Sequence, residues 1–150
     1  MKTSIGRRRR AAGFTMIELL IATSVSGVLA GVAYPSFSSA LQKMRRTDAL
    51  VAMVQLQHAE ERWRSGSSRY GSLAEVGVAE RSPAGHYRLS VADPQAHGFV
   101  AIAEASGAQA SDRACRYLRV EVDAGNVVYR SGESAAADNP SKVNRQCWNL

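Results

Sequence analysis

Gly13-Phe14-Thr15-Met16-Ile17-Glu18-Leu19-Leu20 is the stretch that decides how the rest of the chain is read. Four arginines, Arg7 to Arg10, stand just before it, and an apolar run follows. From Phe14 to Tyr34 there are 21 residues whose only charge is Glu18. As a helix rising about 1.5 Å per residue the run is about 31 Å long, enough to cross a bilayer core. A carboxylate within such a segment costs about 2.5–3.5 kcal/mol near the bilayer centre. Glu18 therefore calls for a partner.

The chain has 150 residues, room for one modest domain besides that helix. Its net charge of +6 and pI near 9.8 are those of a nucleic-acid binder, but their location says otherwise. Lys2 and Arg7 to Arg10 hold five of the nineteen basic residues, and every acid lies after Gly13. A chain cut at Gly13 keeps fourteen bases against thirteen acids, a net charge of +1. The small residue also precedes the apolar run. In a secretory signal the cleavage site follows that run, so cutting here would leave the helix on the mature chain. The clustered arginines hold the N-terminus in the cytoplasm, which sends the C-terminal part across the membrane. An uncleaved single-span anchor is the plainer alternative.

Within the run, Ala22, Ser26 and Ala30, and Ser24, Gly27 and Gly31, are small residues at helical spacing. Gly27-x-x-x-Gly31 allows helix backbones to approach closely in lipid. Pro35 removes a backbone donor and is expected to kink or loosen the turn before it. Beyond it Phe37, Leu41, Met44, Val51 and Val54 recur at helical spacing, widened by Leu50, Met53 and Leu56 and closed by Trp63. Lys43, Arg45, Arg46, Glu60, Glu61, Arg62 and Arg64 fall on the expected solvated side. Gly66 within Arg64 to Ser68 is the stop signal. One helix from about Thr15 to about Arg64 is thus predicted, apolar in its first half and amphipathic in its second.

Leu73 to Val76 reads as a short helical turn. Tyr87-x-Leu89-x-Val91, Phe99 to Ala103, Leu118-x-Val120-x-Val122 and Val127 to Arg130 read as strands, the last two joined by Asp123-Ala124-Gly125-Asn126. Three or four antiparallel strands on the amphipathic half-helix make an α+β head. Ser131 to Gln146 holds few apolar residues and needs tying down. Cys115 and Cys147 bracket it. In an extracytoplasmic domain they are expected to pair, closing a loop worth about 3–4 kcal/mol. A redox or metal pair is the rival reading, with neither C-x-x-C nor a neighbouring His to support it.

The arginine leader, the Gly13-Phe14 junction, Glu18 and the long apolar helix together resemble the prepilin signature of the type IV pilins. The Arg45 to Leu50 stretch, Glu61-Arg62-Trp63 and Cys147-Trp148 are most similar to PilE-type minor pilins. The leader is longer than is usual for the short-leader class, and the head is small. The resemblance implies three segments: a leader over 1–13, a transmembrane and assembly helix over 14–35, and an extracytoplasmic head over 36–150 with a disulfide loop over 115–147. Gly13 would precede the bond cut by the prepilin peptidase, and Phe14 would become the N-terminus, methylated on its amine by the same enzyme. Glu18 would meet the Phe14 ammonium, its own or a neighbour's, in the filament. The stretch from Gly27 to Pro35 would lose helicity on assembly.

The implied function is a structural subunit, a minor pilin of a type IV pilus, serving pilus biogenesis, twitching motility, adhesion or DNA uptake. Its partners would be other pilins and the inner-membrane assembly machinery, and its location first the inner membrane, then the extracellular filament. A pseudopilin of type II secretion is an alternative, as is a DNA-binding competence pilin. For the latter, Arg113, Arg116, Arg119 and Arg130 with Tyr117 and Tyr129 would form a basic, aromatic patch; a solvated strand face is the blander reading. No catalysis, cofactor or metal is expected: His58, His86 and His97 are scattered, and no nucleophile elbow, metal-ligand pair or phosphate loop occurs.

Overall fold

The computed structural model describes residues 13–150. The expected leader therefore lies, up to Ala12, outside the described residues. Helix α1 spans Met16–Arg64. Thr15 caps it, its Oγ1 accepting a hydrogen bond from the Glu18 amide at 3.3 Å. Arg62 and Arg64 stand in its last turn, where cations suit the carbonyl end of the helix. Pro35 lies inside α1 without ending it, so the loosening expected there is not a break.

The described chain divides into two compact units at Ser38/Ser39. In the first, every residue is exposed except the half-buried Ser38. The most apolar part of α1 has a mean hydropathy of 1.9 and none of it is buried. Its hydroxyls satisfy themselves: Thr23 Oγ1 donates to the Leu19 and Leu20 carbonyls, and Ser24 Oγ to that of Leu20. Such local bonding lets polar side chains sit in an apolar helix.

The second unit is an α+β head. Strands β1 (Tyr87–Ala92), β2 (Gly98–Ala105), β3 (Tyr117–Asp123) and β4 (Asn126–Gly132) form one antiparallel meander in sequential order. Short helices α2 (Leu73–Val76) and α3 (Ser141–Cys147) lie outside the sheet. Ser72 and Glu75 form a capping box that starts α2, and Gly77 ends it at φ +72°. The hairpin between β3 and β4 turns on two residues, Ala124 at φ +48° and Gly125 at φ +83°. Both central positions of this tight turn require positive φ.

The inner face of the sheet alternates as expected: Tyr87, Leu89, Phe99, Ala101, Ala103, Leu118, Val120 and Val122 are all buried. The helix face that joins them is the expected one only in part. Ala49, Ala52, Met53, Leu56, Ala59 and Glu60 are the buried residues of α1, whereas Phe37, Met44, Val51 and Val54 are exposed. Small side chains let a helix approach a sheet closely, and Ala101 and Ala103 match the helical alanines. Met53 and Leu56 of the expected stripe also reach the core, with Leu50 packed against it.

Three further expectations are corrected. Glu60 is fully buried rather than solvated, one carboxylate oxygen accepting from the Gly71 amide at 2.9 Å. Arg46 is not free but paired with Asp112 at 2.7 Å. The polar segment after β4 contains α3, where a loop was expected.

Candidate functional site

The N-terminal end of α1 presents its motif openly. Phe14 is 77% exposed, Glu18 is exposed, and nothing approaches the position a Cβ would take on Gly13, Gly27 or Gly31. Twelve large apolar side chains from Phe14 to Phe37 are at least half exposed. Buried, they would contribute about 1.5–3 kcal/mol each, so a monomer in water leaves a large free energy ungathered. Only lipid or other apolar helices remove that cost. Thr15 carries a signal missed in the sequence: Thr15-x-x-Glu18 is the spacing of a capping box, and its first half is formed. Glu18 thus occupies the third position of the helix, where a carboxylate also opposes the positive end of the dipole.

The arginine patch that the DNA-binding alternative would need does not assemble. Arg119 and Arg130 do stand opposite each other across β3 and β4. Acids are placed between and beside them, however. Arg130 lies 2.8 Å from both Glu121 and Asp138, and Arg119 pairs with Asp138 and, at 3.6 Å, with Glu121. Glu121 beside it also raises the proton affinity of the Arg130 guanidinium. Arg116 faces Glu104 at 3.9 Å, and Tyr117 donates to the same carboxylate at 2.6 Å. Tyr129 belongs to the other face of the sheet, edge-on to Trp148 with ring centroids 4.9 Å apart. Two arginines and two carboxylates cancel, leaving a charge-neutral ladder.

Cys115 and Cys147 are joined, with their Cα atoms 5.3 Å apart. Amide side chains complete the fastening of the segment between them. Asn139 Nδ2 donates to the Ala114 carbonyl at 2.6 Å and to Ser131 Oγ at 2.9 Å, and Asn144 Nδ2 donates to the Tyr129 carbonyl at 2.8 Å. Gly132 lets this segment close, since a Cβ there would lie 2.0 Å from the Ala137 carbonyl oxygen. The histidines stay apart: His58 is on α1, His86 gives its amide to Asp48, and exposed His97 faces Asp123 at 3.7 Å. Among the described residues no group of histidine, cysteine or carboxylate side chains is arranged to hold a metal.

Residues 35–119 match the family model described as "Type IV minor pilin ComP, DNA uptake sequence receptor". The chain belongs to the type IV pilins. Residues 8–34 of this pilin match a second model, the prokaryotic N-terminal methylation motif, which takes in Gly13, Phe14 and Glu18. The pilin is also 35% identical over 85 residues to the type IV major pilin protein PilA of Myxococcus xanthus strain DK1622. That alignment covers 55% of this chain and 39% of the relative. The methylation motif and the exposed apolar helix are those of a membrane-anchored precursor that becomes part of a pilus. Pilins are a structural family.

Proposed function

We propose that this pilin is a minor subunit of a type IV pilus, inserted into the filament through α1. Arg7 to Arg10 hold the precursor's N-terminus in the cytoplasm while the head stands on the far side of the inner membrane. The prepilin peptidase cuts between Gly13 and Phe14 and methylates the new Phe14 amine, which stays cationic. Glu18 then meets a Phe14 ammonium, its own or that of a neighbouring subunit, and fixes the register of packing. The observation that carries this reading is the apolar surface of α1 from Phe14 to Phe37, which has no cover among the described residues. Exposed Met44, Val51 and Val54 are apolar surface of the head's own, also open to neighbours. Counting Glu18→Ala subunits in sheared filaments tests the register role. A strong loss relative to the parent chain is expected, and incorporation at the parent level would remove Glu18 from the assembly step.

A second reading, capture of DNA for uptake, is favoured by the match of residues 35–119 to a family described as a DNA uptake sequence receptor. The neutralised ladder of Arg119 and Arg130 lends it no support. Duplex binding by the full chain that weakens steeply with salt would favour this second role.

A further inference from the structure

The sheet has two edge strands, β1 and β4, and they are closed differently. On β1 the loop before the strand takes up outward backbone groups. Ser82 donates its amide to the Tyr87 carbonyl at 3.0 Å, and the Leu89 amide donates to the Glu80 carbonyl at 2.7 Å. Arg81 and Arg88 add two exposed charges there. On β4 the two-residue turn makes Asp123 and Asn126 a hydrogen-bonded pair, and such pairs alternate along a hairpin. Val128 and Arg130 therefore bond to β3, while Val127, Tyr129 and Ser131 turn their amides and carbonyls outward. The Asn139 amide donates to the Ser131 carbonyl at 2.8 Å, and Asn144 Nδ2 to that of Tyr129. Among the described residues no partner meets the Val127 amide, the Val127 carbonyl or the Tyr129 amide.

Edges are commonly guarded by a charge, a proline or a bulge. Asn126 to Tyr129 carries none of these: its register with β3 is unbroken, and all four residues are exposed. Arg130 beyond them is matched by Glu121 and Asp138. Val127 and Tyr129 oppose Val122 and Val120, so they lie on the face of the sheet turned to α1. There Tyr129 borders an apolar groove of about 230 Å³ with Leu50, Met53, Trp148 and Leu150. Two amides, one carbonyl and an adjoining groove complement one extended strand. Its backbone meets Val127 and Tyr129, and every second side chain enters the groove.

We propose that β4 takes up an extended, uncharged segment of a different protein chain, with apolar side chains at alternate positions, as a fifth strand beside Asn126 to Tyr129. A second copy of this chain is the other source of a strand. The twofold axis that pairs two β4 edges antiparallel stands perpendicular to the sheet, so it reverses the stretch of α1 from Ala49 to Glu60 that packs there. Subunits held in one bilayer run the same way. Resting on the membrane-anchored reading, that excludes the copy.

Amide hydrogen exchange on the full chain in detergent micelles tests this, with a capped hexapeptide of alternating valine and threonine as the probe. Saturating peptide should slow exchange at Val127 and Tyr129. The same peptide N-methylated at alternate amides should bind about tenfold more weakly, because it loses hydrogen bonds to the edge. Val127→Pro removes one outward amide while sparing the β3 ladder, and should abolish the slowing with the remaining sheet amides as protected as before. Val127→Lys, which guards the edge with a charge, should do the same. Unchanged exchange at Val127 and Tyr129, or equal binding of the methylated peptide, would overturn the strand pairing. Slowing that grows with protein concentration in the absence of peptide would overturn it in favour of a second copy, and would count against subunits held in one bilayer.

Discussion

Arg46 donates two hydrogen bonds to the Asp112 carboxylate, at 2.7 and 3.0 Å, and a third to the Gln146 carbonyl at 3.1 Å. One side chain of α1 is thereby tied to residues just before Cys115 and Cys147, and the fork geometry needs a guanidinium. Arg46→Ala leaves a buried carboxylate supported by Gln109 alone among side chains. A loss of about 3 kcal/mol in denaturant unfolding is expected. Arg46→Lys should recover only part of it, because an ammonium cannot bind the carboxylate in the same two-point manner.

Buried Glu60 and exposed Glu75 oppose one another in their response to pH. Burial pushes the Glu60 carboxyl above its usual range, although the Gly71 amide draws it down in part. The folded state therefore holds that proton more tightly than the unfolded chain. Its contribution to stability is greatest below about pH 4.5 and is lost as pH rises through the raised value. Arg69 and the Ser72 cap hold Glu75 down at about 2. That contribution is present above about pH 4.5 and is lost as pH falls towards 2. Glu60→Gln should flatten the decline on the alkaline side of pH 4.5 while leaving the acid limb in place, as read from melting temperature against pH.

Ala124 occupies a left-handed position that costs an L-residue about 1–2 kcal/mol. Ala124→Gly removes the strain at some cost in chain entropy, so a net gain of about 0.5–1 kcal/mol is expected. A melting temperature unchanged or lowered would show that the turn is not strained as its φ indicates.

The two sides of the amphipathic half-helix should answer differently to substitution. Ala52 is 1% exposed in the seam against the sheet, so Ala52→Leu overpacks the head and should cost about 1–3 kcal/mol. Val54 is 50% exposed, so Val54→Lys should leave unfolding within about 0.5 kcal/mol of the parent. The same change should reduce recovery in filaments, because it charges a surface proposed to meet neighbouring subunits.

That seam marks the limit of what the sequence tells. The span from Phe14 to Tyr34 is legible because it lacks charge over a bilayer's thickness, and the strands because Leu89, Leu118 and their neighbours alternate with polar residues. Each signal is local. Of the large apolar residues read on the amphipathic half, Met53 and Leu56 are buried but Phe37, Met44, Val51 and Val54 are not, and Ala49, Ala52 and Ala59, which periodicity weighs lightly, complete the buried face. Glu60 gave no sign of burial because its partner amide is supplied by Gly71, beyond the helix end. The short helix at Ser141–Cys147 was hidden for a like reason. It is held by the disulfide and by Asn144 to the Tyr129 carbonyl, with Val143 packed against the core. At the candidate site, the contiguous stretch Gly13-Phe14-Thr15-Met16-Ile17-Glu18 lies within residues 8–34, which match the N-terminal methylation motif. The ion pairs of the arginines could not be read from the sequence, because Glu104, Glu121 and Asp138 reach them only once strands and loop are in register.

The central claim, processing at Phe14 followed by assembly, is tested most directly by an intact mass of the protein from its native membrane and from sheared filaments. A mass lacking Met1 to Gly13 and carrying one added methyl group is predicted in the filament fraction. Reduction and alkylation should then add two alkyl groups, one at each cysteine of the Cys115–Cys147 pair. An unprocessed mass, with the protein absent from filaments, would leave a plain membrane-anchored domain and contradict the roles given to Gly13, Phe14 and Glu18.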